Sequence, residues 1–205
     1  MLDQALQQLP LVAILRGVKP DEVEAIADAL YAEGFRVIEV PLNSPQALDS
    51  IGRLARRMPA DALIGAGTVL SADAVRDVQI AGGRLIVMPH ADVAVIRVAK
   101  ARGLACVPGA TTPTEAFAAL QAGADALKLF PAELVTPPVV KAMRAVLPKE
   151  LKLLPVGGIT PESMAAYCRA GAAGFGLGSA LYAPGMTAAD VAQRARAFAG
   201  AWRAR

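Results

Sequence analysis

The chain has 205 residues and a net charge of +3, with 55% hydrophobic, 19% charged and 4% aromatic side chains. That apolar share can build a large core and excludes a disordered segment. So few aromatics argue against a nucleic-acid surface, and the basic residues near the C-terminus, Arg194, Arg196, Arg203 and Arg205, read as a solvated helix face.

The opening MLDQALQQLP lacks a basic start and a small-residue cleavage site, so no export signal is expected. From there one pattern recurs, a helix closed by Gly and then a short apolar strand. Its copies are AEGFRVIEVP, IAGGRLIVMP, ARGLACVPG, QAGADALKLFP and RAGAAGFGLG. Gly readily takes the left-handed conformation that ends a helix. LVAILR, DALIGAGTV and LKLLPVGG complete a set of eight strands, centred near Ile14, Ile38, Ala66, Ile86, Cys106, Lys128, Leu154 and Gly176. Centres lie 20 to 28 residues apart, room for one crossover helix each. Ser44, Thr112 and Thr160 each precede a Pro and read as helix N-caps, and Thr112 with Glu115 fits a capping box.

Eight β-then-α units predict an α/β fold, a compact (β/α)8 TIM barrel spanning residues 1–205 as a single domain. A doubly wound open sheet is the alternative, but no G-x-G-x-x-G follows the first strand. The uncharged run from Ala170 to Ala189 is broken by five glycines and Pro184, so it reads as strand and loop rather than a membrane span. Cys106 falls in a strand and Cys168 in a helix, without metal-ligand spacing. Both read as buried apolar groups in a reducing, cytoplasmic setting. One His and two distant Cys cannot make a catalytic zinc site, while magnesium needs fewer side chains and stays open.

Barrel sites lie at the C-terminal ends of the strands. The polar residues expected there are Arg16, Glu39, Asn43, Thr68, His90, Lys128, Gly157 with Gly158, and Gly178 with Ser179. In ALKLFP, alternation sets Ala126, Lys128 and Phe130 on one face and Leu127 and Leu129 on the other. If the leucines face helices, Lys128 points inward and loses hydration, which disfavours its ammonium form. Lowering a lysine from ~10.4 to ~7 corresponds to roughly 4–5 kcal/mol and yields an amine able to attack a ketone. An ion-paired structural lysine is the competing reading.

Glu39 in FRVIEVPL follows the same alternation, with Val37 and Pro41 beside it. It is either one half of a buried ion pair or a proton shuttle for Lys128. Gly157 and Gly158 follow the seventh strand, and Gly178 and Ser179 the eighth, where this fold often binds phosphate on backbone N–H groups. Arg16 reads as a rim salt bridge or an anion contact, and Thr68 as a helix cap or a hydrogen-bond donor.

The segments AILRG, EVPLNSP, IGAGTVL, PGATTPTEA, ALKLFPAE, PVGGITPE and GLGSALY stand in this order along nearly the whole chain. Together they resemble the 2-keto-3-deoxy-6-phosphogluconate and -galactonate aldolases. The resemblance implies a (β/α)8 homotrimer that uses a Schiff base and no metal or other cofactor. It also implies that Lys128 forms the Schiff base, Glu39 is the acid/base group and Thr68 holds the pyruvoyl part. Gly158, Gly178 and Ser179 would hold the phosphate, and Arg16 would contact the substrate's anionic groups.

Gluconate-type members commonly carry Thr before the Gly-Gly pair and Arg four positions after the acid/base Glu. This chain has Val156 and Asn43 there and Arg16 on the first strand, which is similar to the galactonate-type branch. Val156 and Asn43 are therefore the expected specificity residues, since a missing hydroxyl can change selectivity. His90 departs from the pattern and is assigned no role. Expected ligands are a phosphorylated keto-deoxy sugar acid, pyruvate and glyceraldehyde 3-phosphate, with neither nucleic acid nor membrane as partner. Cleavage of the gluconate epimer, or of both, is the near alternative. A phosphate-binding barrel isomerase or synthase, or a non-catalytic phosphosugar binder, is the distant one.

Overall fold

Strands and helices alternate through residues 1–205, all of which the computed structural model describes. The order is α1 (Leu2–Gln8), β1 (Leu11–Ile14), α2 (Val23–Ala32), β2 (Val37–Pro41), α3 (Ala47–Arg57), β3 (Leu63–Gly67), α4 (Ala72–Ile80), β4 (Leu85–Val87) and α5 (Val93–Ala101). It continues with β5 (Ala105–Val107), β6 (Gly109–Ala110), α6 (Pro113–Gln121), β7 (Ala126–Leu129), α7 (Pro137–Val146), β8 (Lys152–Pro155), α8 (Pro161–Arg169), β9 (Phe175–Leu177) and α9 (Ala188–Arg203).

The strands form a six-stranded parallel sheet, β5-β4-β3-β2-β1-β9, and a three-stranded parallel sheet, β6-β7-β8. The single strand expected around Cys106 is thus two segments separated by Pro108. Proline has no N–H to donate and interrupts a ladder. The chain changes partner there, since β5 pairs with β4 while β6 pairs with β7. The Asp125 N–H donates to the Cys106 carbonyl at 3.0 Å and the Lys128 N–H to the Pro108 carbonyl at 2.9 Å. Beyond β8, Val156 makes a parallel bridge to Gly176 of β9.

Glycines close the helices as the repeat predicts. Gly34, Gly82, Gly103, Gly123 and Gly171 all have φ between 71° and 103°. Thr112 caps α6 in a capping box with Glu115, and the Thr160 N–H donates to Ser163 Oγ at 3.0 Å ahead of α8. Ser44 does not cap a helix. Helix α3 starts at Ala47 behind Gln46, which has φ 46°, and Ser44 Oγ instead accepts the Gly17 N–H at 2.9 Å. Pro45 made the local signal look like a cap, but a tertiary partner claimed the hydroxyl.

Alternation divides the interior in two. Ile38, Val40, Leu127 and Leu129 join the large cluster between helices and sheets. Val12, Val37, Leu63, Leu85, Val107, Ala126 and Leu154 form an inner cluster drawn from both sheets. Leu2, Ala5 and Leu6 of α1 belong to that inner cluster, so α1 packs against the inward side chains. Nothing in the repeat pointed to this role for the first helix.

Candidate active site

Glu39 and Lys128 sit on the inner faces of β2 and β7 and are 1% and 5% exposed. Burying either charge is costly without strong partners. Glu39 Oε2 has no hydrogen-bond partner. Burial pushes the Glu39 carboxyl up to about 7, against the pull of the nearby Lys128 and Arg16 cations. Burial also lowers Lys128 from its ordinary 10.5, with Glu39 opposing and Arg16 reinforcing the shift. One carboxyl and one amine are therefore moved toward neutrality on a shared apolar face, the arrangement that proton transfer and amine nucleophilicity require. The Lys128 Nζ also stands 4.7 Å from the Phe130 ring centroid.

Lys128 lines two adjoining spaces. One is an apolar interior cavity that also meets Leu2, Val12, Val37, Glu39 and Leu154. The other opens at the strand ends and brings together Arg16, Lys128, Val156, Gly157, Gly158, Gly178 and Ser179. Seven of the positions singled out from the sequence thus meet in one pocket. Gly157 and Gly158 have φ of 114° and 60°, a run that only glycine adopts at low cost. Their positive φ lets the loop after β8 bend toward the N-terminus of α8, where backbone N–H groups favour an anion.

Arg16 and Asn43 are exposed and meet directly, Arg16 Nη1 donating to Asn43 Oδ1 at 2.6 Å. Val156 is buried and lines both spaces. Thr68 lies outside both linings, half-buried after β3, with φ 54°. A β-branched residue in that conformation costs about 1–3 kcal/mol, and such strain clusters at functional sites. Ser71, not Thr68, caps α4. His90 is exposed beyond β4 and lines neither space.

Phe130, already expected on the face of Lys128, also lines the mouth, and sequence reasoning missed Ile14, Ile159, Gly176 and Ala180 as lining residues. Such apolar residues carry no chemical signal. It also missed Glu133, whose carboxylate lies against Gly157 and Gly158. A Cβ on these glycines would meet Glu133 Oε2 at 2.4 Å and Oε1 at 3.2 Å.

A family model described as KDPG and KHG aldolase matches residues 2–197. A probable 2-dehydro-3-deoxy-6-phosphogalactonate aldolase of Rhizobium meliloti (strain 1021) is 50% identical over 193 residues, 94% of this chain and 91% of that protein. The 2-dehydro-3-deoxy-6-phosphogalactonate aldolase of Escherichia coli (strain K12) is 47% identical over 196 residues, 96% of each chain. A solved structure described as native KDPGal superposes with a TM-score of 0.95 at 47% identity, covering 97% of this chain and 96% of the other. With a buried lysine and carboxyl on the inner faces of two strands and the match running almost end to end, the chain belongs to the KDPG and KHG aldolase family and is a carbon–carbon lyase.

Proposed function

We propose that the chain is a class I aldolase that cleaves 2-dehydro-3-deoxy-6-phosphogalactonate to pyruvate and D-glyceraldehyde 3-phosphate through a Schiff base on Lys128. The observation that carries this reading is the burial of Lys128 and Glu39 on one inner face, with the amine's pKa lowered and the carboxyl's raised to about 7.

In the reaction, neutral Lys128 Nζ attacks the C2 ketone and forms a carbinolamine. Protonation of its hydroxyl, relayed by Glu39, lets water leave and gives the iminium. Glu39 as carboxylate then takes the C4 hydroxyl proton. The C3–C4 electron pair flows into the iminium, releasing glyceraldehyde 3-phosphate and leaving an enamine. Protonation at C3 and attack of water free pyruvate and return the amine. Each step uses only substrate, water, Lys128 and Glu39. Arg16 and the N–H groups of Gly157, Gly158, Gly178 and Ser179 hold the anionic ends, and Thr68 serves the pyruvoyl end.

Galactonate preference is supported by Val156 in the mouth lining and by Arg16 held on Asn43. It is supported as well by the two relatives of 50% and 47% identity, both galactonate-type aldolases by name. Contacts from β7 to the β5–β6 segment and from Val156 to Gly176 support one closed (β/α)8 barrel serving as a single domain. A homotrimer belongs to the same reading, on the resemblance to the aldolase family. A solution mass near three times 21.1 kDa tests that assignment. The free thiols of Cys106 and Cys168 are in keeping with a cytoplasmic setting, and no helix is long and apolar enough to cross a membrane.

Reduction by borohydride in the presence of pyruvate tests the mechanism. The expected result is a covalent adduct on the Lys128 peptide, absent in Lys128→Ala. An unmodified Lys128 in an active preparation would refute the scheme.

A further inference from the structure

We propose that Gly67 is a positioning residue for Glu39, its bare Cα at the end of β3 forming the seat on which the carboxyl group rests. The inference builds on the reading of Glu39 as the proton-moving group. It concerns a residue whose type carries no chemistry of its own.

Strand β3 turns Leu63 into the inner cluster, and alternation turns Gly65 and Gly67 the same way. Two consecutive inward positions therefore carry no side chain. They do so for different reasons. A Cβ at Gly65 would strike the Leu85 carbonyl oxygen at 2.0 Å, so Gly65 admits a neighbouring strand. A Cβ at Gly67 would lie 1.9 Å from Glu39 Oε2, 2.4 Å from Cδ and 2.5 Å from Oε1. The whole carboxyl group fills the space that any side chain at 67 would need. Gly67 is not among the glycines with positive φ, so space, rather than backbone conformation, is what requires glycine here.

Both backbones are held. The Glu39 carbonyl accepts the Leu15 N–H at 3.0 Å, and the Gly67 carbonyl accepts the Leu42 N–H at 2.9 Å. The register sets Glu39 opposite Gly65 and Pro41 opposite Gly67. With the strands fixed, the carboxyl rests over the Gly67 Cα. That position also withholds a hydrogen bond. Oε2 has no partner, and a Cα–H contact is weak beside an N–H or O–H donor. Gly67 thereby fixes the group without satisfying it, and the carboxyl stays ready to take or give a proton.

The carboxyl is the free end of its side chain, so Gly67→Ala is expected to displace it and leave the strand in place. A displacement near 1 Å at reacting groups costs on the order of 100-fold in rate. The expected result is a kcat lowered about 100-fold, with KM changed little. The acid limb of kcat/KM should move to lower pH as the displaced carboxyl reaches water. Glu39→Asp withdraws the carboxyl by roughly one bond length. In that background, Gly67→Ala should cost far less than in the wild type. Equal losses in both backgrounds, with an unmoved acid limb, would overturn the proposal.

If Gly67→Ala fails to fold, melting temperatures carry the test in the Glu39→Ala background, where the seat is empty. Recovery of folding there supports the steric coupling, and equal destabilisation with and without Glu39 refutes it. Wild-type protein that takes up no pyruvate under borohydride would sink the aldolase chemistry itself. The melting comparison would still report whether Gly67 and Glu39 are coupled.

Discussion

Arg16 reaches from the end of β1 to the end of β2, where its Nη1 donates to the Asn43 side-chain oxygen at 2.6 Å. Directly beside it, the Gly17 N–H is held by Ser44 Oγ at 2.9 Å. Two adjacent residues of the β2–α3 segment thus hold two adjacent residues of the β1–α2 segment. Arg16 lines the mouth pocket, so this clamp fixes where its charge sits.

Releasing the clamp should weaken anion binding more than chemistry. Asn43→Ala removes an exposed partner, so stability should change by less than about 0.5 kcal/mol. KM for the phosphorylated sugar acid should rise roughly 5- to 10-fold, in keeping with ~1 kcal/mol for one lost charge-assisted bond. The rate of pyruvate trapping on Lys128 should hold steady. Steady-state kinetics beside the trapping assay checks this, and an unchanged KM would mean that Arg16 is held well enough without Asn43.

Val156→Thr should move substrate preference toward the gluconate epimer. Val and Thr have nearly the same shape, and Val156 is 7% exposed at the pocket wall. A hydroxyl placed there gains a partner only if a sugar hydroxyl reaches it. The ratio of kcat/KM values for the two epimers should shift about 10-fold toward gluconate. Initial rates on the separate epimers measure it. A fixed ratio would remove Val156 from the specificity argument.

Stability should depend on pH through Glu39. Its carboxyl is raised from 4.5 to about 7 in the folded protein, so the native state binds the proton more tightly than the unfolded chain. The sign follows directly: below pH 4.5 both states are protonated and burial carries no ionisation cost, and stability falls as pH rises through about 7. The interval corresponds to about 3 kcal/mol. Glu39→Gln cannot ionise, so its melting temperature relative to wild type should climb between pH 4.5 and about 7 and then level off. Thermal melts at several pH values read this, and a difference that shrinks as pH rises would contradict the raised carboxyl.

Leu6→Ala should destabilise the protein through the packing of α1. Leu6 is 3% exposed and packs with Leu2 and Ala5 among the inward side chains of both sheets. A buried Leu→Ala change costs about 2–5 kcal/mol. Because α1 is short, fraying should hold the loss near 2–3 kcal/mol. Urea unfolding gives the value, and a loss under ~1 kcal/mol would show that α1 is not anchored there.

Lys128 and Glu39 were legible because a strand repeats every two residues. Once Leu127, Leu129, Ile38 and Val40 face the helices, the residues between them must face inward. Arg16, Gly157, Gly158, Gly178 and Ser179 were legible for a related reason, since each ends a strand of a repeated unit and strand ends converge. Ser44 was misread because Ser before Pro carries the same local signal whether its hydroxyl caps a helix or binds Gly17 across the fold. The break at Pro108 was unread because which neighbour each half of a strand pairs with is set by the strands beside it.

What the sequence by itself determined is the set of short-range choices. These are where helices stop at Gly, which strand residues share a face, and that one lysine and one carboxylate share the apolar face. Period and propensity are local, so a single chain can display them. What only the tertiary structure decided is everything that depends on distance between segments far apart in the chain. This covers the raised Glu39 carboxyl and lowered Lys128 amine, the hold of Asn43 on Arg16, and the bare surface of Gly67 beneath Glu39. Desolvation, charge interaction and steric exclusion act through space, and separation along the chain does not encode them.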